Sequence, residues 1–105
     1  MKPIAVITTI GNRADAKHLA TAIVKRKLAA CAQLERIESC YIWKAKMTHA
    51  PEVRITFKTT TACYAALERA IRKLHPYELP AIHALKIKFI SAAYKKWIAE
   101  NTVPS

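Results

Sequence analysis

The chain has 105 residues, 52% of them hydrophobic, a length that fits one domain able to bury roughly two thirds of its unfolded surface. No continuous apolar run approaches the ~18 residues of a membrane-spanning helix, and the short apolar N-terminus PIAVITTIG lacks a cleavage pattern, so a globular cytoplasmic protein with no membrane role is expected. Its 18 Lys and Arg against 7 Asp and Glu give a net charge of +11, which attracts polyanions, but the basic groups are dispersed over VKRK, KAK, RAIRK, KIK and YKKW as solvated faces would be.

In chain order, PIAVITT (3–9) reads as a buried strand, followed by Gly11 and Asn12 in a turn whose Asn can cap the next helix. From Arg13 to Leu28, Ala16, Leu19, Ala20, Ile23, Val24 and Leu28 share one helical face, with Lys17, Thr21 and Lys25 opposite. AACAQLERIESCYIW alternates through Ala30, Ala32 and Leu34, then changes phase to Ile37, Ser39, Tyr41 and Trp43, which predicts a long strand with a bulge. EVRITFKT alternates Val53, Ile55 and Phe57 against Arg54, Thr56 and Lys58, and KAKMTHAP is the expected hairpin connection. TTTACYAALERAIRKLH begins with hydroxyl cap candidates and spaces Tyr64, Leu67, Ile71 and Leu74 at helical period. Leu85, Ile87 and Phe89 alternate with Lys86 and Lys88 in a fourth strand, and a last helix carries Ala93, Tyr94, Trp97 and Ile98.

The resulting β-α-β-β-α-β order with a C-terminal helix predicts an α+β, ferredoxin-like split βαβ domain over the whole of 1–105, with two helices on one face of an antiparallel sheet. Strands 2 and 3 look longer than such helices can cover, so self-association through them is expected.

The chemistry-bearing residues exclude more than they prove. Cys31, Cys40 and Cys63 are odd in number and lack CxxC spacing, which argues against a disulfide framework or a zinc site and favours buried free thiols. Gly11 is the single glycine, so no glycine-rich loop can cradle phosphates. The third strand has one aromatic, Phe57, and no glycine, unlike an RNA-stacking sheet. No motif assembles a nucleophile with a base, so no enzymatic activity is expected. In KLHPYELPAI (73–82) proline ends the preceding helix and stiffens a segment presenting His75, Tyr77 and Glu78. His75 there reads as a cation at a helix C-terminus or as a metal-ligating imidazole; Trp43, Tyr94 and Trp97 read as core or interface aromatics.

Taken together, KLAACAQ, SCYIWKAK, EVRITFKTT, HPYELPAI and YKKWI resemble, in order and spacing, the divalent-cation tolerance protein CutA family over nearly the whole chain. The resemblance implies a homotrimer of ferredoxin-like subunits, similar in architecture to PII signalling proteins, with long strands pairing across subunit boundaries. It implies a role in divalent-cation (copper) tolerance, with no required cofactor and a divalent cation or small anion as ligand. The family motifs fall on His75, Pro76, Tyr77 and Glu78, on Tyr41 and Trp43, on Glu52 and Val53, and on Lys58, Thr59 and Thr60. They imply an inter-subunit cleft formed by Trp43, Glu52, Lys58, His75, Tyr77, Glu78, Tyr94 and Trp97, with His75 as the metal ligand. The Cys and the first of two adjacent His used by copper-binding bacterial members are here Thr8 and Leu74. Loss of an acid at Ala81 beside added lysines tilts the cleft toward anions. The alternative on the same scaffold is a basic PII-like module for nucleotides or, nonspecifically, nucleic acid.

Overall fold

A computed structural model describes residues 2–104. β1 (Pro3–Ile10), α1 (Arg13–Lys25), β2 (Cys31–Trp43), β3 (Lys46–Thr60), α2 (Tyr64–Leu74, entered through a 3-10 turn over Thr61–Cys63), β4 (Ile82–Lys86) and α3 (Ala92–Glu100) follow in order. The four strands form one antiparallel sheet in the order β2-β3-β1-β4, the expected split βαβ arrangement. Among the described residues no helix is long and apolar enough to cross a membrane.

One sheet face is covered. Ile4, Val6 and Ile10 of β1 and Val53, Ile55 and Phe57 of β3 are buried with Leu19 and Ile23 of α1 and Leu67 and Ile71 of α2. The period-2 pattern of the strands and the 3.6-residue pattern of the helices thus meet in a single core. Asn12 caps α1 as expected, its side-chain oxygen accepting from the Asp15 N–H at 2.9 Å. α3 packs on the opposite face at one corner, where the Tyr94 hydroxyl meets Cys31 Sγ at 3.6 Å and Ile98 is fully buried. Ser91 caps it, accepting from the Tyr94 N–H.

Several boundaries differ from the sequence pattern, each for a visible reason. α1 stops at Lys25 rather than Leu28 because Lys27 turns left-handed (φ 57). The N–H groups of Lys27 and Leu28 then donate to the carbonyls of Val24 and Ile23, closing a Schellman cap around a residue that is usually glycine. The Thr60 hydroxyl makes no backbone cap and points instead to Cys63 Sγ at 3.5 Å. β4 is Ile82–Lys86, not the stretch through Phe89, because β1 offers its last paired residue, Ile4, to Lys86. Phe89 is left 86% exposed.

The hairpin departs furthest from expectation. KAKMTHAP is no loop: β3 begins at Lys46, and only Lys44 and Ala45 turn, both left-handed (φ 50 and 66) as a type I′ turn requires. Without Asn or Gly at these positions the turn left no signal. Nor does β2 contain a bulge, since pairing runs unbroken from Cys31↔Lys58 to Trp43↔Lys46. The phase change has another cause. Ala32 and Leu34 face the helices, whereas Ile37, Ser39, Tyr41 and Trp43 lie on the other face, so the apolar side switches where helical cover ends. Pro51 is tolerated inside β3 because β1 pairing ends at Val53, leaving the stretch from Lys46 to Glu52 with a partner on one side only.

The cysteines are not uniformly buried. Cys63 is buried and Cys31 half-buried, while Cys40 is exposed; all three are free thiols.

Candidate functional site

The segment after α2 folds back over the end of β1 and the middle of β3. Proline at position 76 forces His75 out of the helix, into extended backbone (φ −76, ψ 134), and its imidazole turns inward. His75 Nδ1 accepts the N–H of Tyr77 at 3.1 Å, which fixes the proton on Nε2, and Nε2–H donates to the Thr9 carbonyl at 2.8 Å. His75 is therefore a neutral clamp, buried to 7% exposure, rather than a helix-end cation.

Two residues on, the Tyr77 hydroxyl donates to Glu52 Oε2 at 2.8 Å. Glu52 is a buried carboxylate, and this charge-assisted bond satisfies part of its demand. Burial first, then the hydrogen bond to Glu52 and its charge, push the Tyr77 phenol far above its ordinary range, so it stays a donor. Gly11 leaves room for this ring: a Cβ there would stand 3.2 Å from the Tyr77 hydroxyl. The His75 and Tyr77 rings tilt against each other with centroids 4.7 Å apart. At the rim, Lys44 approaches Glu78 at 3.8 Å and lies 5.7 Å from the Trp43 ring centroid.

Together these residues enclose a cleft of about 530 Å³ lined by Thr9, Tyr41, Trp43, Glu52, Tyr77, Glu78, Leu79 and Ala81. Its walls are aromatic and aliphatic, and its charged lining is Glu52 and Glu78. The tilt toward anions inferred from the sequence is not what the lining presents: no lysine is among the lining residues, and Lys44 at the rim turns toward Glu78. Lys58 donates to Gln33 Oε1 at 2.8 Å on the far part of the sheet.

A family model described as CutA1 divalent ion tolerance protein matches residues 4–101. The chain belongs to that family. It is 34% identical over 100 residues to the divalent-cation tolerance protein CutA of Thermotoga maritima, covering 95% of this chain and 99% of the relative. Among solved structures, CutA1 from Oryza sativa superposes with a TM-score of 0.96 at 33% identity, covering 100% of this chain and 97% of the other. CutA from Synechococcus elongatus does so with a TM-score of 0.94 at 32% identity, covering 97% and 91%.

Of the residues that CutA resemblance singled out, Trp43, Glu52, Tyr77 and Glu78 meet in the cleft, and His75 holds its floor without lining it. Tyr94 and Trp97 stack on each other with centroids 5.8 Å apart beside Cys31, in a separate cluster under α3. Thr8 is buried on the face shared with Ile4, Val6 and Ile10, its hydroxyl without a partner, and it is Thr9 that lines the cleft. Thr9 and Leu79 had no sequence signal of their own. Strand parity alone, placing Thr9 on the face of Glu52 and Tyr41, would have found the former.

Proposed function

We propose that this CutA-family chain works by binding rather than turnover, as a homotrimer that holds a divalent cation at a cleft shared between subunits. The observation that carries the reading is a half-made site on a half-covered strand pair. Glu52 and Glu78 bring two carboxylates into an aromatic-walled cleft, and among the described residues no group of three His, Cys, Asp or Glu stands close enough to ligate one metal. A second subunit would supply what one lacks. The free edges of β2 and of β3 over 46–52, with Tyr41, Ile42 and Trp43 exposed, are where that subunit would sit.

Carboxylates favour hard cations, and copper would need an imidazole. His75 can serve only by releasing either Thr9 or Tyr77, since both its nitrogens are engaged. Native mass spectrometry of the untagged protein, titrated with manganese, zinc and copper, tests assembly and binding together. A trimer whose metal uptake is lost in Glu52→Gln supports the reading; a monomer, or a trimer that stays bare, sinks it.

The second reading, anion binding, has its own observation. Arg26, Arg69 and Lys73 line a groove of about 470 Å³ between α1 and α2, on the helical face away from the cleft. Polyanion binding there would weaken steeply between low and physiological salt and vanish in Arg69→Glu, with metal uptake at the cleft unchanged.

A further inference from the structure

The basic segments VKRK and RAIRK, far apart in the chain, come together in the fold. Arg26 at the end of α1 and Arg69 and Lys73 of α2 line one groove of about 470 Å³, whose floor is Leu28, Ala66 and Ala70. Along the exposed crest of α1, Arg13, Lys17 and Lys25 form a row with steps of roughly 6 and 12 Å. Arg69 and Lys73 make a second row on α2 with a step of roughly 6 Å, one helix spacing of about 8–10 Å away.

This layer is unbalanced in charge. The two helices carry two carboxylates, and both are engaged locally: Asp15 accepts from Asn12 Nδ2 at 3.0 Å, and Glu68 from the Tyr64 hydroxyl at 3.4 Å. Among the described residues no carboxylate pairs with any of the six cations. Helix dipoles account for Lys25, Arg26 and Lys73 at C-terminal ends, but not for Lys17 and Arg69 in mid-helix. Arg13, in the first turn of α1, stands where the dipole disfavours a cation. The cleft, by contrast, collects Glu52 and Glu78. Acidic and basic groups are thus sorted onto separate surfaces, and α1 and α2 contain none of the strand edges offered to a second subunit, so assembly through those edges does not use this layer.

Building on the anion-binding reading of the groove, we propose that the α1 and α2 layer docks the phosphate backbone of duplex nucleic acid without reading its sequence. Two rows of cations about 8–10 Å apart match the scale of the phosphate rows that border a duplex groove, about 6–12 Å wide. The guanidinium forks of Arg13, Arg26 and Arg69 suit phosphate oxygens. Other phosphate-bearing partners fit less well. A single strand needs aromatic platforms, and the only Phe, Tyr or Trp on either helix, Tyr64, is half-buried against Glu68. An acidic bilayer needs apolar side chains to insert, and among the described residues neither helix exposes a large hydrophobic one.

The test is fluorescence anisotropy of a labelled DNA duplex of about 30 base pairs, titrated with the full-length protein at about 50–200 mM salt. Six phosphate contacts predict a slope of log K against log salt near about −5, roughly a thousandfold loss over that range. Arg69→Gln with Lys73→Gln should weaken binding about tenfold or more at the low-salt end and make the slope shallower by about 2. Lys95→Gln with Lys96→Gln, the same change in net charge placed on α3, should do neither. A duplex of scrambled sequence should bind equally and a single strand of the same length more weakly, and circular dichroism of each variant checks the fold. Duplex docking is overturned if no binding is seen at low salt up to about 100 µM protein, or if the α3 pair costs as much as the α2 pair. It is equally overturned if the single strand binds more tightly than the duplex, or if phosphatidylserine vesicles capture the protein and the duplex does not. Titration calorimetry with inorganic tripolyphosphate separates this outcome from the broader one. Tripolyphosphate binding that disappears in Arg69→Gln, without duplex binding, would overturn duplex docking and leave the anion groove standing, whereas absence of both would remove the groove reading as well.

Discussion

Between Ala32 and Arg36 the β2–β3 hairpin is backed by α1 and shares the core of Ile55 and Phe57, whereas between Ser39 and Ala50 the same two strands continue with Ile42 and Met47 more than 60% exposed, at 68% and 63%. Pairing is equally regular in both halves. What differs is the reason for the side chains. In the inner half, apolar residues are where subunit stability comes from; in the outer half they contribute little to it, and their presence points to ligands and to other subunits.

Substitutions can break this contrast, beginning with the largest effect. Phe57→Ala, in the fully buried inner half, should lose about 3–5 kcal/mol of unfolding free energy in a denaturant titration. At the junction, Tyr77→Phe leaves the buried Glu52 carboxylate without its donor and should cost about 1–3 kcal/mol. The same variant has a pH signature. The Tyr77 phenol is raised above its ordinary value of 10.0, so its contribution is fully present below pH 10.0 and is lost as pH climbs beyond it. The alkaline fall in stability should therefore be shallower in Tyr77→Phe than in wild type.

Much of this contrast was legible beforehand. The alternation of Val53, Ile55 and Phe57 and the helical spacing of Leu67, Ile71 and Leu74 identified the inner half and the core, because burial imposes a period on the sequence. The HPYELP segment was legible as a rigid presenter because two prolines restrict backbone irrespective of context. The outer half was not. A turn of Lys44 and Ala45 carries no Gly or Asn, and a strand open on both faces has no reason to alternate, so Met47 and His49 read as loop. Lys58, Tyr94 and Trp97 were placed by motif rather than by parity, and they fall outside the cleft, Lys58 on another part of the sheet and Tyr94 and Trp97 on α3.

Smaller effects sharpen the comparison. Gly11→Ala should shift the Tyr77 ring by a few tenths of an ångström and cost about 1 kcal/mol or less, visible as a partial version of Tyr77→Phe. Lys27→Gly, at the left-handed position of the α1 cap, should raise stability by about 0.5–1 kcal/mol. Ile42→Ser should change the unfolding free energy of the isolated subunit by no more than about 0.5 kcal/mol, while shifting sedimentation toward smaller species. A large loss of subunit stability in Ile42→Ser would show that the outer half belongs to the core after all.

The unbroken pairing of β2 with β3 has a consequence for how this protein can change over time. Side chains alternate strictly, so removing one residue between Leu34 and Ser39 would exchange the two faces of everything beyond it on β2. Tyr41 and Trp43 would turn away from the cleft, and Cys40 would turn into it, toward Glu52. A single codon deletion would thus act as a parity switch, trading an aromatic wall for a thiol in one step, whereas point substitutions would need several.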